Sequence, residues 1–350
     1  MPTSYIKNFL TRATFRGKPH IDYIPLLRLI WRYFFPLKII QYTSVQTLPR
    51  LDGTGSIEYV LITPDEFIAD SFSISKQRYQ NKSKKLVYVC HGVGRSLDEK
   101  SVRRWGYNAS QNNVDIVVHN YPSYGNTPGP ATEERICRDA DELLRYVKKE
   151  DQEVVLLGNS IGCGPIMWLA TADEAQDLGI EKVVLISAWT SMLGLWSTLV
   201  PELFMRGPNN AERPPLSLKR KFKCVVGSIL FKVFGPIRNR DGYDSFQSLK
   251  TAKKLVGKDV LMIHGEFDRT VPLWHCKQIK AEMEKYSDVK ARLEIMPDCG
   301  HVFTRLWSDD IIWGFVHDDE NLEEIIKTAK ERRGPAKEII YKGNEHDGDD

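Results

Sequence analysis

Seven short runs rich in β-branched and aliphatic residues, separated by helical patterns, constrain this chain more than any other feature. The runs cover residues 57–63, 86–90, 114–119, 154–157, 183–187, 260–264 and 291–296. Helical periodicity falls at 133–149, 161–171, 273–286 and 321–333. Runs such as VVLL and KVVLIS are apolar throughout. A strand of that kind is buried on both faces, as in a parallel sheet. Strands alternating with helices in this order call for a mostly parallel central sheet with helices on both faces, so the expected fold class is α/β.

One connection breaks the rhythm. About seventy residues separate the run ending at Ser187 from the one starting at Val260, several times an ordinary strand-to-helix loop. They include Pro201, Pro208, Pro214, Pro215 and Pro236 and a basic, apolar stretch, SLKRKFKCVVGSILFKVFG. Insertions of this size are commonly functional, and a lid over a site is the expectation. The expected organisation is a basic N-terminal extension over 1–50, one α/β domain over 51–335 with the lid at about 190–257, and an acidic tail over 336–350.

Composition excludes several classes. At 350 residues and 42% apolar, the chain has ample material for a buried core and is not disordered over most of its length. The net charge of +3 does not announce a nucleic-acid binder. Positive charge is nevertheless concentrated. Residues 1–50 hold eight Lys and Arg against Asp22, and residues 206–240 hold nine against Glu212. The apolar stretch at 24–40 is interrupted by Arg28, Arg32 and Lys38 and carries Pro36. It therefore suits a helix packed on the protein or lying at an interface better than a membrane span. Six cysteines without CxxC pairs, and an N-terminus without a secretory layout, fit free thiols in a reducing, cytoplasmic compartment.

The chemistry is carried by Gly158-Asn159-Ser160-Ile161-Gly162, which follows a strand run and opens a helical one. A nucleophile thrust out on a tight strand-to-helix turn needs small flanking residues, here Gly158 and Gly162. A helix N-terminus beneath Ser160 favours developing negative charge. A serine hydroxyl needs a base to take its proton and a carboxylate to orient that base. On such a sheet they follow in the order Ser, acid, His, each past a strand end. Asp268, in HGEFDRTVP, and His301, in DCGH, meet that order. Glu266 is the alternative acid, and Asp268 is preferred because its turn carries it past the strand edge. Two N–H donors must receive the oxyanion. Ile161 supplies one, and the His91-Gly92-Val93-Gly94 loop the other, with Val93 ahead of Gly94. Cys163 and Cys299 flank the site but miss the elbow, so core packing is expected of them. The sequence presents no metal constellation and no cofactor motif; cofactors: none expected.

Together HGVG, NYPSYGNTPG, GNSIGCG, HGEFDRTVP and DCGH resemble the α/β-hydrolase superfamily over roughly residues 57–333. The YPSYGNTPG and YDSFQSL stretches resemble its branch that contains protein depalmitoylases. The resemblance implies an α/β-hydrolase fold, a Ser160–Asp268–His301 triad and cofactor-free cleavage of an ester, thioester or amide through an acyl-enzyme. Two departures from the depalmitoylases stand out: no cysteine precedes Cys90, and the lid is long. A lipid or acylated substrate, either a small molecule or an acylated protein, peripheral contact with anionic membrane and no nucleic-acid partner are expected. Lys219, Arg220, Lys221 and Lys223 beside the apolar lid residues would contribute about 1 kcal/mol each toward anionic headgroups; a lid helix packed on the domain with solvated lysines is the other reading. Two alternatives to the esterase remain. One is a peptidase of the prolyl-oligopeptidase kind, for which the chain lacks room for a propeller. The other is a non-catalytic binding protein, which would commonly lack a triad member.

Overall fold

The computed structural model describes residues 45–64, 84–93, 97, 99–196, 198, 244–286 and 288–331. Eight strands form one sheet: β1 (Gln46–Pro49), β2 (Ser56–Ile62), β3 (Lys85–Cys90), β4 (Asp115–His119), β5 (Glu153–Asn159), β6 (Ile180–Ile186), β7 (Asp259–Gly265) and β8 (Lys290–Met296). Their spatial order is β1-β2-β4-β3-β5-β6-β7-β8. β2 runs antiparallel to both neighbours, β1 and β4, and every other pairing is parallel. All seven predicted strands are therefore present, and β1 is an addition at the antiparallel edge.

The helices are α1 (Glu99–Asn112), α2 (Glu133–Val147), α3 (Cys163–Thr171), α4 (Ser248–Ala252), α5 (Trp274–Met283), α6 (His301–Leu306), α7 (Asp309–Val316) and α8 (Leu322–Glu331). Alternating strand residues feed two separate cores. Leu86, Tyr88, Cys90, Val154 and Leu156 face one side, where Ile136, Leu143 and Leu144 of α2, Ile166 and Leu169 of α3 and Ile279 of α5 cover them. Val87, Val89, Val155 and Leu157 face the other, under Ala109 of α1, Ile311 and Ile312 of α7 and Ile326 of α8. This is the double burial that apolar-throughout strands require. α2 shows how locally consistent the chain is. Thr132 caps its N-terminus by accepting from the Arg135 amide, Glu133 and Glu134 occupy its first turn, and Arg145 its last, each placed to complement the helix dipole.

Of the stretch expected as an N-terminal extension, residues 45–50 are described. β1 lies within it, and Arg50 is buried. The Arg50 guanidinium grips the Asp139 carboxylate of α2 through two bonds of 2.8 and 2.7 Å. Burial raises Asp139, and the Arg50 bonds oppose that rise without cancelling it. The pair thus fixes where β1 docks more than it adds stability, as is common for ion pairs removed from water. The stretch expected as a lid contributes core residues at both ends, Met192 and Leu195 on one side and Phe246, Ala252 and Leu255 on the other. Its basic, apolar run, the 24–40 segment and the 336–350 tail lie outside the described residues. Among the described residues, no helix is long and apolar enough to cross a membrane.

Candidate active site

The parallel strands deliver their C-terminal ends to one edge of the sheet, and the predicted residues meet there. β5 ends at Asn159, and Ser160 follows with φ +55°. That left-handed conformation is costly for a residue with a Cβ. A single turn, Ser160–Gly162, then leads into α3. Both flanking glycines are required by contact. A Cβ on Gly158 would lie 2.8 Å from Cys163 Cα, and one on Gly162 would lie 2.1 Å from the carbonyl oxygen of Cys90. The indole N–H of fully buried Trp189, just past β6, donates to the Ser160 carbonyl at 2.8 Å and braces the turn.

His301 is the first residue of α6, one turn beyond β8. Its Nε2 is 3.0 Å from Ser160 Oγ, and its Nδ1 is 2.6 Å from Asp268 Oδ2. Asp268 follows β7 and is buried. Its Oδ1 accepts the backbone N–H groups of Thr270 (2.9 Å) and Val271 (2.8 Å), the turn that carries it past the strand edge. Its Oδ2 also accepts the hydroxyl of Ser187 at 2.9 Å. Burial alone would raise this carboxyl. The bond and charge of His301, the His264 ring and the Val271 amide outweigh burial and hold it below its ordinary value. Glu266, the alternative acid, is exposed and pairs with the Asp298 amide at 3.3 Å, away from His301.

The loop expected to complete an oxyanion site passes directly over the elbow. A Cβ built on Gly92 would stand 3.6 Å from Ser160 Cβ, ordinary contact distance, which places the loop directly against the nucleophile. Tyr121 anchors the loop from below by donating to the His91 carbonyl at 2.7 Å. Val93 follows with an exposed side chain, whereas Ile161 is buried at the start of the helical turn. Gly94 lies outside the described residues.

Four other candidate nucleophiles and bases are buried. Cys163 is buried and its thiol contacts the carbonyls of Gly158 and Ile186 at 3.3 Å each, and burial pushes its titration well up. Cys299 is buried too. His119 is fully buried and depressed to about 3 by desolvation. His264 Nε2–H donates to the Val271 carbonyl (2.7 Å), and the ring is lowered chiefly by burial. Among the described residues, no group of three His, Cys, Asp or Glu side chains could hold a metal ion. Trp189, Ser187 and Tyr121 are the residues of this site that motif reading missed. Each is a single polar group with no repeat or spacing to mark it, and only the folded sheet brings it to the elbow.

The alpha/beta hydrolase family profile matches residues 87–310, and the chain belongs to that family. Among solved structures, the Pyrococcus furiosus esterase Pf2001 is similar over 78% of this chain and 87% of its own, with a TM-score of 0.51 at 13% identity. Est1E from Butyrivibrio proteoclasticus is similar over 83% of this chain and 97% of its own, with a TM-score of 0.45 at 16% identity. Among curated proteins, the uncharacterized membrane protein YNL320W of Saccharomyces cerevisiae is 20% identical over 213 residues, 51% of this chain and 72% of its own. At 13% identity the likeness to Pf2001 speaks to the fold alone, which with the family profile is the α/β-hydrolase fold.

Proposed function

We propose that this chain is a serine hydrolase that cleaves the ester or thioester of an acylated substrate through an acyl-enzyme. One observation carries the reading: a strained, left-handed Ser160 whose Oγ is 3.0 Å from an imidazole that in turn lies 2.6 Å from a buried carboxylate. As Ser160 Oγ attacks the acyl carbonyl, its proton passes to His301 Nε2. Asp268 holds the ring and stabilises the imidazolium. The carbonyl oxygen becomes an oxyanion that the Ile161 and Val93 amides receive. Collapse of the tetrahedral species breaks the bond to the leaving group, which takes the proton from His301. Water then repeats the sequence, losing its proton to His301 while the acid leaves and Ser160 Oγ regains the hydrogen.

An acyl chain as the recognised part, and a thioester as one form of it, rest on the depalmitoylase-like YPSYGNTPG and YDSFQSL stretches. A fluorophosphonate probe is expected to label the native protein and to leave Ser160→Ala unlabelled; equal labelling of both, or of neither, removes Ser160 as nucleophile. With p-nitrophenyl esters of increasing chain length, kcat/KM is expected to rise from acetate toward long acyl groups. A profile that is flat or highest for acetate argues against an acyl-chain substrate while leaving the serine chemistry standing.

A further inference from the structure

We propose that Ser187 is a positioning residue for the Asp268–His301 pair, and that its hydroxyl sets the pH at which Ser160 becomes reactive. The proposal rests on the serine-hydrolase reading above and extends it to a residue outside the triad. Ser187 follows β6 immediately and is fully buried. Its N–H donates to the Ile263 carbonyl at 2.9 Å, which ties it to β7, the strand that delivers Asp268. Its Oγ lies 2.9 Å from Asp268 Oδ2, the same oxygen that His301 Nδ1 approaches at 2.6 Å. An ionised carboxylate only accepts, so the serine donates.

The backbone makes the case that the hydroxyl is there for a purpose. Ser187 has φ +53°, a conformation that glycine adopts without cost and other residues do not. Strain of this kind persists where the surroundings over-determine it, commonly at working sites. What serine supplies here beyond glycine is the hydroxyl aimed at Oδ2.

The groups facing Asp268 divide the work clearly. His264, on β7, has Nε2 3.6 Å from Oδ2 but spends that atom on the Val271 carbonyl at 2.7 Å. Burial keeps the ring toward its neutral form. Cys276 of α5 also senses the Asp268 charge, and burial pushes its thiol up to about 12, so it stays neutral. Glu266 and Arg269, on the same turn, are exposed. Oδ1 is committed to the Thr270 and Val271 amides. Oδ2 is therefore shared between the serine hydroxyl and the imidazole.

Two donors on one oxygen compete for its electron density. Deleting the hydroxyl leaves Oδ2 wholly to the imidazole and stabilises its protonated form. Ser160 needs that ring neutral to lose its proton, so the reactive state would then be reached only at higher pH. The carboxylate also loses one of its restraints, so the ring is held less firmly and the rate falls at every pH.

The test measures the rate of fluorophosphonate labelling of the full chain from about pH 5 to pH 9 for the native protein, Ser187→Ala and Ser187→Gly. Glycine suits the backbone at this position, so that variant keeps the test open where alanine fails to fold. The expected result is a fall of about ten-fold in the plateau rate and a rise of about half a unit in the midpoint for both variants. A purely structural role would lower the melting temperature without moving the midpoint. A folded Ser187→Gly protein whose midpoint matches the native one overturns the proposal. Absence of labelling in the native protein would instead overturn the serine-hydrolase reading.

Discussion

Asp268→Asn is expected to lower turnover about 10⁴-fold while the protein remains folded. The hydrogen bonds of this carboxylate decide the outcome. Oδ1 receives two backbone N–H groups, Thr270 and Val271, and both can only donate. In the variant the amide oxygen must face them, because an NH₂ group there would set donors against donors. The NH₂ group is then left at the Oδ2 position, facing His301 Nδ1 and Ser187 Oγ. Ser187 can rotate its hydroxyl to accept, so the fold loses little. His301 has no such freedom without consequence. Its Nδ1 must become an acceptor, and a neutral imidazole then carries its hydrogen on Nε2. That atom faces Ser160 Oγ at 3.0 Å and can no longer take the serine proton. Turnover of a p-nitrophenyl ester, together with circular dichroism, checks the prediction. A folded variant within ten-fold of the native rate would show that Asp268 does not set the tautomer of His301.

Most of this arrangement was legible in the sequence because it follows from strand ends. The order Ser160, Asp268, His301 needs only that three parallel strands deliver their next residues to one edge, and the apolar runs before them marked those strands. Glu266 and Asp268 could not be separated by pattern alone with certainty of geometry. They are two residues apart, and what distinguishes them is the pair of amides at Thr270 and Val271 that turns one carboxylate inward.

What escaped was held by contacts remote in sequence or by weak periodicity. β1 is four residues long with mostly exposed side chains, so it carries neither the alternation nor the apolar run that betrays a strand. Its register comes from pairing with β2 and from Arg50 on Asp139, a bond spanning 89 positions. α1 packs through Val102, Trp105 and Ala109, a thin apolar stripe at helical spacing within an otherwise polar segment. α6 and α7 are six and eight residues long, too short for a periodic signal. Arg50 entered the composition only as one of eight positive charges in residues 1–50, yet its side chain is fully buried. Its position is fixed by the two-pronged bond to buried Asp139, whose carboxylate Arg135 also approaches at 3.9 Å.

Gly162→Ala is expected to cost about 3 kcal/mol or more, roughly 10 °C in melting temperature, and to abolish labelling of Ser160. The backbone there is ordinary, with φ −65°, so the effect is one of space alone. The added methyl would lie 2.1 Å from the carbonyl oxygen of Cys90, 2.6 Å from its carbon and 2.9 Å from the carbonyl oxygen of His91. All three atoms are backbone, at the end of β3 and the start of the loop that passes over Ser160. They cannot swing aside as a side-chain tip can. The elbow or the loop must shift, and a shift of either moves the Ser160 nucleophile relative to Val93 and His301. Gly314→Ala is the internal control. Its methyl would come closest to Leu322 Cδ1 at 3.1 Å and Ile325 Cδ1 at 3.2 Å, flexible ends that can give, with Asp319 Cβ at an ordinary 3.9 Å, inside a helix where alanine is the better former. That substitution is expected to change stability by less than about 1 kcal/mol and to leave labelling intact. Thermal melts and probe labelling of both variants decide the matter. If Gly162→Ala melts and labels like Gly314→Ala, close approach of β3 to the elbow is not what requires glycine there.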